Sequence, residues 1–232
     1  TANTAGAFED SGTGTDYDAQ GTSLVNASCV NGTLDLNRQL TIAANGTLSA
    51  PRGTLEVGQE SSSGTANLEI DFNGTFIHNN GLFQLVGYEQ KIYFGGATFY
   101  NLESGKVDWN RKYVREAFTV ANALTVTKGF FSFDGNNNTY TATFSAGATI
   151  NVTDVSSAGI DFISNTSNAV TVQGDTVSPV AITGKTWDFD LGGSGSTVKL
   201  SNIDYDPDVV TGGNGVTIQL TGDCEFDAVT VS

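Results

Sequence analysis

Short runs of this 232-residue chain alternate apolar with small polar residues, and Gly or Asn cuts each one off within a few positions. Examples are residues 32–37 (GTLDLN), 39–44 (QLTIAA), 53–58 (GTLEVG), 91–94 (KIYF), 123–128 (ALTVTK), 148–153 (ATINVT), 169–174 (AVTVQG), 197–202 (TVKLSN) and 215–222 (GVTIQLTG). Period-two alternation marks a strand with one buried face, because successive strand side chains point to opposite sides. Asn31-Gly32, Asn45-Gly46, Asn73-Gly74, Asn80-Gly81, Asp134-Gly135 and Asn214-Gly215 supply corners that tolerate positive φ. The chain therefore reads as all-β.

Two architectures fit such short strands: a parallel β-helix (β-solenoid), or a β-sandwich of the jelly-roll kind. Spacing favours the first. Gly-Thr-Leu begins at Gly32, Gly46 and Gly53, and Gly-Thr-Phe begins at Gly74, with offsets that are all multiples of seven. Repeated strand-and-turn units are the signature of stacked coils, each covering the open face of its neighbour. Residues 1–22 are mostly Gly, Thr, Asp and Ala and read as an extended N-terminal arm. Residues 23–232 read as one elongated β domain, with a basic excursion at 106–117.

Charge narrows the function. Ten basic against 25 acidic residues give a net charge of −15. Such a surface repels phosphate backbones, so nucleic acid is not an expected partner. No run approaches the 18 apolar residues of a membrane helix, and no membrane insertion is expected.

Candidate chemistry is sparse. His78 is the sole histidine and no GxSxG elbow accompanies it, so neither a Ser-His-acid triad nor a zinc site is expected. Glu56 with Glu60, Glu69 with Asp71, and Asp188 with Asp190 are spaced like paired carboxylates, but 25 acids give many such pairs by chance. The reading is no enzyme and no required cofactor. Calcium is the ion to consider, because Asp204, Asp206 and Asp208 place hard oxygen donors at alternate positions of one loop. Arg111, Lys112 and Arg115 concentrate basic charge and read as a subunit-docking patch against an acidic neighbour, including a second copy of the chain. A short helical turn over 108–119 is the other local reading of that segment.

Residues 74–102 (GTFIHNNGLFQLVGYEQKIYFGGATFYNL) resemble a module of long β-strand-repeat surface proteins of bacteria and of tailed-phage virion proteins. The matching positions are the His78-Asn79-Asn80-Gly81 corner, Gln90, Ile92, Gly95, and Thr98-Phe99-Tyr100-Asn101-Leu102. Residues 124–133 and 141–152 look like the rungs that follow, and the likeness spans 32–153 with a departure at 106–117. The resemblance implies a non-enzymatic structural protein on the virion surface of a tailed phage: a capsid decoration, head fibre or tail fibre. It implies assembly with its own copies, as a trimer or higher, and with other virion proteins. The alternative is an extracellular adhesin segment at a cell surface, binding host glycan through Tyr88, Tyr93 and Trp187.

Overall fold

The computed structural model describes residues 17–19, 24–25, 33–59, 68–106, 111–135, 138–153, 158–163, 168–177, 180–184, 197–201, 203–207 and 217–226. Among them the chain runs β1 (Tyr17–Ala19), β2 (Leu24–Val25), β3 (Thr33–Leu36), β4 (Leu40–Ile42), β5 (Thr47–Ser49), β6 (Thr54–Val57), β7 (Glu69–Phe72) and β8 (Thr75–Ile77). It continues through β9 (Leu82–Leu85), β10 (Gln90–Tyr93), β11 (Thr98–Ser104), β12 (Arg111–Val114), β13 (Phe118–Val126), β14 (Gly129–Asp134), β15 (Tyr140–Phe144) and β16 (Thr149–Val152). The last strands are β17 (Ala158–Ile163), β18 (Ala169–Gln173), β19 (Val180–Gly184), β20 (Thr197–Ser201), β21 (Ile203–Pro207), β22 (Thr217–Thr221) and β23 (Glu225–Phe226). No helix occurs among the described residues.

Each strand pairs with the equivalent strand of the next pass, so successive passes of the chain stack on one another. One sheet runs β1-β4-β7-β10-β12-β14-β17, and another runs β2-β5-β8. The third follows β3-β6-β9-β11-β13 and then divides, one branch through β15, β18, β20 and β22, the other through β16, β19, β21 and β23. It divides because β13 is long enough to turn a corner: Phe118–Val120 pair with β15, and Ala123–Val126 pair with β16. A one-residue slip against β11 between Phe99 and Asn101 marks the bend, as a bulge does. Every pairing among the described residues is parallel. This all-β arrangement of stacked parallel sheets is consistent with a β-solenoid, and the antiparallel pairing of a sandwich is absent from it. Tyr17–Ala19, inside the span read as an arm, pair with Leu40–Ile42.

The Gly-Thr-Leu/Phe triplets are register neighbours. Thr33-Leu34 pair with Thr54-Leu55, and Thr47-Leu48 pair with Thr75-Phe76. The repeat is not fixed in length, since Phe83 pairs with Leu102 but Ile150 with Ile182.

Parallel register makes columns. Leu40, Ile70, Ile92, Val114, Phe133 and Phe162 follow one another across the first sheet, all buried. Leu55, Phe83, Leu102, Leu124 and Ile150 form a second buried column, with half-buried Leu34 at its start. Phenylalanines fill the space between: Phe94 and Phe99 lie 4.5 Å apart, and Phe133 stacks on Phe162 at 5.0 Å. Of Leu34, Leu40, Ile42, Leu55, Ile70, Phe72, Ile92, Phe99, Leu124 and Val126, the positions at which alternation points inward, all are buried in this core except Leu34, which is half-buried.

Candidate functional site

The basic segment is a rung of the first sheet. Arg111–Val114 form β12, and from Phe118 the chain is strand again, so the described part of 108–119 is not helical. Alternation decides the outcome: Val114 must point inward beside Ile92, which sends Lys112 inward and leaves Arg111 and Tyr113 on the outer face.

Both arginines bind carboxylates of later passes. Arg111 Nε donates to Asp161 Oδ2 at 2.6 Å, reaching past β14 to β17. On the way its guanidinium lies 5.4 Å from the centre of the Phe130 ring. Arg115 Nε donates to Asp134 Oδ2 at 2.8 Å, and its Nη1 donates to the Tyr93 hydroxyl at 3.2 Å. Asp134 and Asp161 are buried although they face outward, so the arginines act as covers that neutralise them. At the edge of the segment Lys106 Nζ donates to Glu56 Oε2 at 2.6 Å.

Lys112 differs from its neighbours. It has no exposed surface, and its Nζ finds no hydrogen-bond partner. Burial depresses its pKa to about 7. Gln90, in register beneath it, is equally buried but satisfied: its Nε2 donates to Val57 O, and its Oε1 accepts from Gly87 N.

Of the remaining candidates, Tyr93 is half-buried on the outer face and engaged with Arg115, while Tyr88 is half-buried in the loop before β10. Asp204 and Asp206 occupy alternate positions of β21. Asp208, Trp187, Glu60, Asp188 and Asp190 lie outside the described residues. Glu69 is exposed, and Asp71 accepts from Asn73 Nδ2 at 2.8 Å.

A concave feature lies at another corner. A groove of about 610 Å³ is lined by Arg52, Ile77, His78, Asn79 and Asn80. Asn79 and Asn80 both adopt positive φ, which turns the chain from β8 into β9. Asn79 Nδ2 ties this corner to the previous pass through Ser49 Oγ at 2.8 Å and Ala50 O at 2.7 Å. The His78 ring stacks on Tyr100 of the next pass, with centroids 6.0 Å apart.

Sequence reasoning set His78 aside as neither a catalytic base nor a zinc ligand and missed Arg52 and Ile77, because the proximity of Arg52 to the corner depends on how one pass stacks on another. It also missed Asp134 and Asp161 as partners of the arginines, which lie 19 and 50 positions away. No protein-family model, no curated protein and no solved structure matches the chain.

Proposed function

We propose that the chain is a non-enzymatic structural protein of a virus particle, a parallel β-solenoid on the outside of a tailed phage. The observation that supports a structural role best is the parallel pairing of successive passes, among the described residues, around one apolar core. Such a stack grows in one dimension and is stiffened by every added coil. The resemblance of 74–102 to virion repeat modules and the net charge of −15 point to a solvent-facing surface that does not adhere to DNA. The chain would serve there as a capsid decoration, a head fibre or a tail fibre.

Self-association fits the last described coil. β22 ends its branch of the sheet, and Ile218 and Leu220 are 41% and 48% exposed there, in register with Val198 and Leu200. Mass measurement by light scattering, with negative-stain imaging of the purified chain, tests the reading. Rods of trimeric or higher mass are expected. A compact monomer at high concentration would overturn it.

A further inference from the structure

The corner groove has the chemistry of a ligand site, and the argument for it does not depend on the virion reading. Arg52 is exposed and has no ion-pair partner among the described residues, although the chain carries 25 acids. A guanidinium left open in so acidic a protein is available to a carboxylate, which it meets with two parallel N–H donors.

His78 supplies a donor of fixed direction. The backbone N–H of Asn80 donates to its Nδ1 at 2.9 Å, so the ring hydrogen resides on Nε2. Stacking on Tyr100, with ring planes 18° apart, sets the plane of the imidazole. Partial burial lowers its pKa, which keeps the ring neutral and Nδ1 an acceptor near neutral pH. Asn80 is exposed and offers an amide, while its neighbour Asn79 is committed to holding the corner in place. Ile77 adds an apolar patch, 43% exposed.

One cation, two directional polar groups and an apolar patch in one groove do not suit a compact inorganic anion, which would leave Ile77 and Asn80 unused. Nor do they suit a densely charged polyanion such as a polyphosphate, which the rest of the surface repels. They suit a sugar ring, whose hydroxyls meet amide and imidazole N–H groups and whose C–H face rests on an aliphatic side chain. The direction of the corner supports a linear ligand. Polar side chains continue up the stack from His78 through Tyr100 and Asn101 to Asn122, whose Nδ2 donates to Asn101 Oδ1 at 2.7 Å. Successive rungs of a parallel sheet lie about 4.8 Å apart, so each rung presents one or two polar groups at this spacing.

We propose that this corner is a binding site for an acidic saccharide. Arg52 holds a carboxylate, His78 Nε2–H and the Asn80 amide meet ring hydroxyls, and Ile77 packs beneath a ring face. Tyr88 and Tyr93 are not among the residues that line it.

Titration calorimetry of the full chain with a glucuronate-containing tetrasaccharide tests it, beside the neutral tetrasaccharide of the same linkage and inorganic phosphate. Saturable binding of the acidic sugar is expected, weakened about tenfold or more by Arg52→Gln and several-fold by His78→Phe. His78→Phe retains the ring but removes Nε2–H. Arg52→Gln should leave the melting temperature unchanged, since Arg52 has no ion pair to lose, so a loss of binding cannot be assigned to unfolding. No saturable binding, equal binding of the neutral sugar or of phosphate, or affinity indifferent to Arg52→Gln would each overturn the proposal. Rod assembly is measured separately, so failure here and failure of the structural reading are distinguishable.

Discussion

Replacing Lys112 with Met keeps an unbranched side chain in the core and removes the amine. The native amine is buried without a partner and its pKa is lowered to about 7, whereas an unfolded lysine titrates near ~10.4. Between those values the unfolded chain binds the extra proton, so wild-type stability rises with pH across that window. Lys112→Met should raise stability at pH 7 by on the order of a few kcal/mol, with a gain that shrinks towards pH 9. Urea midpoints at the two pH values measure this; equal gains at both would mean that Lys112 is not the titrating group. Gly58 is opposite in character. It sits at φ 120°, and a Cβ there would lie 2.5 Å from the backbone nitrogen of Gly87. Gly58→Ala should therefore destabilise the fold by roughly 1–3 kcal/mol, read as a lower urea midpoint. The inward course of Lys112 was legible in principle, since Lys112 and Val114 share one face of a strand. Composition hid it, because four basic residues within ten positions read as a solvated patch.

Between elements, the arginine clamps couple strands that are distant in sequence. Charge reversal at Arg111 and Arg115 would face Asp161 and Asp134 with like charge, so it tests the fold before it tests any docking role. A double-mutant cycle on Arg115 and Asp134 is the cleaner measurement. Asp134→Asn alone should cost about 1–3 kcal/mol, with a coupling energy of similar size, because the carboxylate is buried. Additive single effects would reduce the contact to surface decoration. Phe99→Ala removes a ring packed against Phe94, Phe83 and Phe76 and should cost about 3–5 kcal/mol. The strands themselves were largely legible: alternation placed β3, β4, β6, β10, β16, β18, β20 and β22 within a residue or two. It could not show that β11 and β13 each continue around a corner. Nothing in period-two alternation marks a strand that changes sheets.

Across the whole molecule, the triplet spacing carried more information than its irregularity suggested. The spacings of 21 from Gly32 to Gly53 and of 28 from Gly46 to Gly74 correspond to real neighbours, while the successive offsets of 14, 7 and 21 relate different sheets. The groove was beyond reach, because Arg52, His78 and Tyr100 come from three passes whose lengths differ. If the apolar end is what joins copies, Ile218→Lys with Leu220→Lys should reduce the mass in light scattering to that of a monomer. The two side chains are 41% and 48% exposed, and the β signal in circular dichroism should be retained. Retained oligomers would place the joint elsewhere.

The inter-strand hydrogen bonds run along the direction in which the passes stack. Pulled from its two ends, such a chain bears load on one pass at a time, like a seam being unpicked. Ile70 and Ile92 are register partners 22 positions apart, so a pass of that length lengthens the tether by roughly 70–80 Å when it peels away. Force spectroscopy should show a sawtooth of such steps. The Arg111–Asp161 pair bridges beyond the adjacent pass, so the passes through β12, β14 and β17 should yield together, as one longer extension at higher force. Arg111→Ala should split that event into single steps.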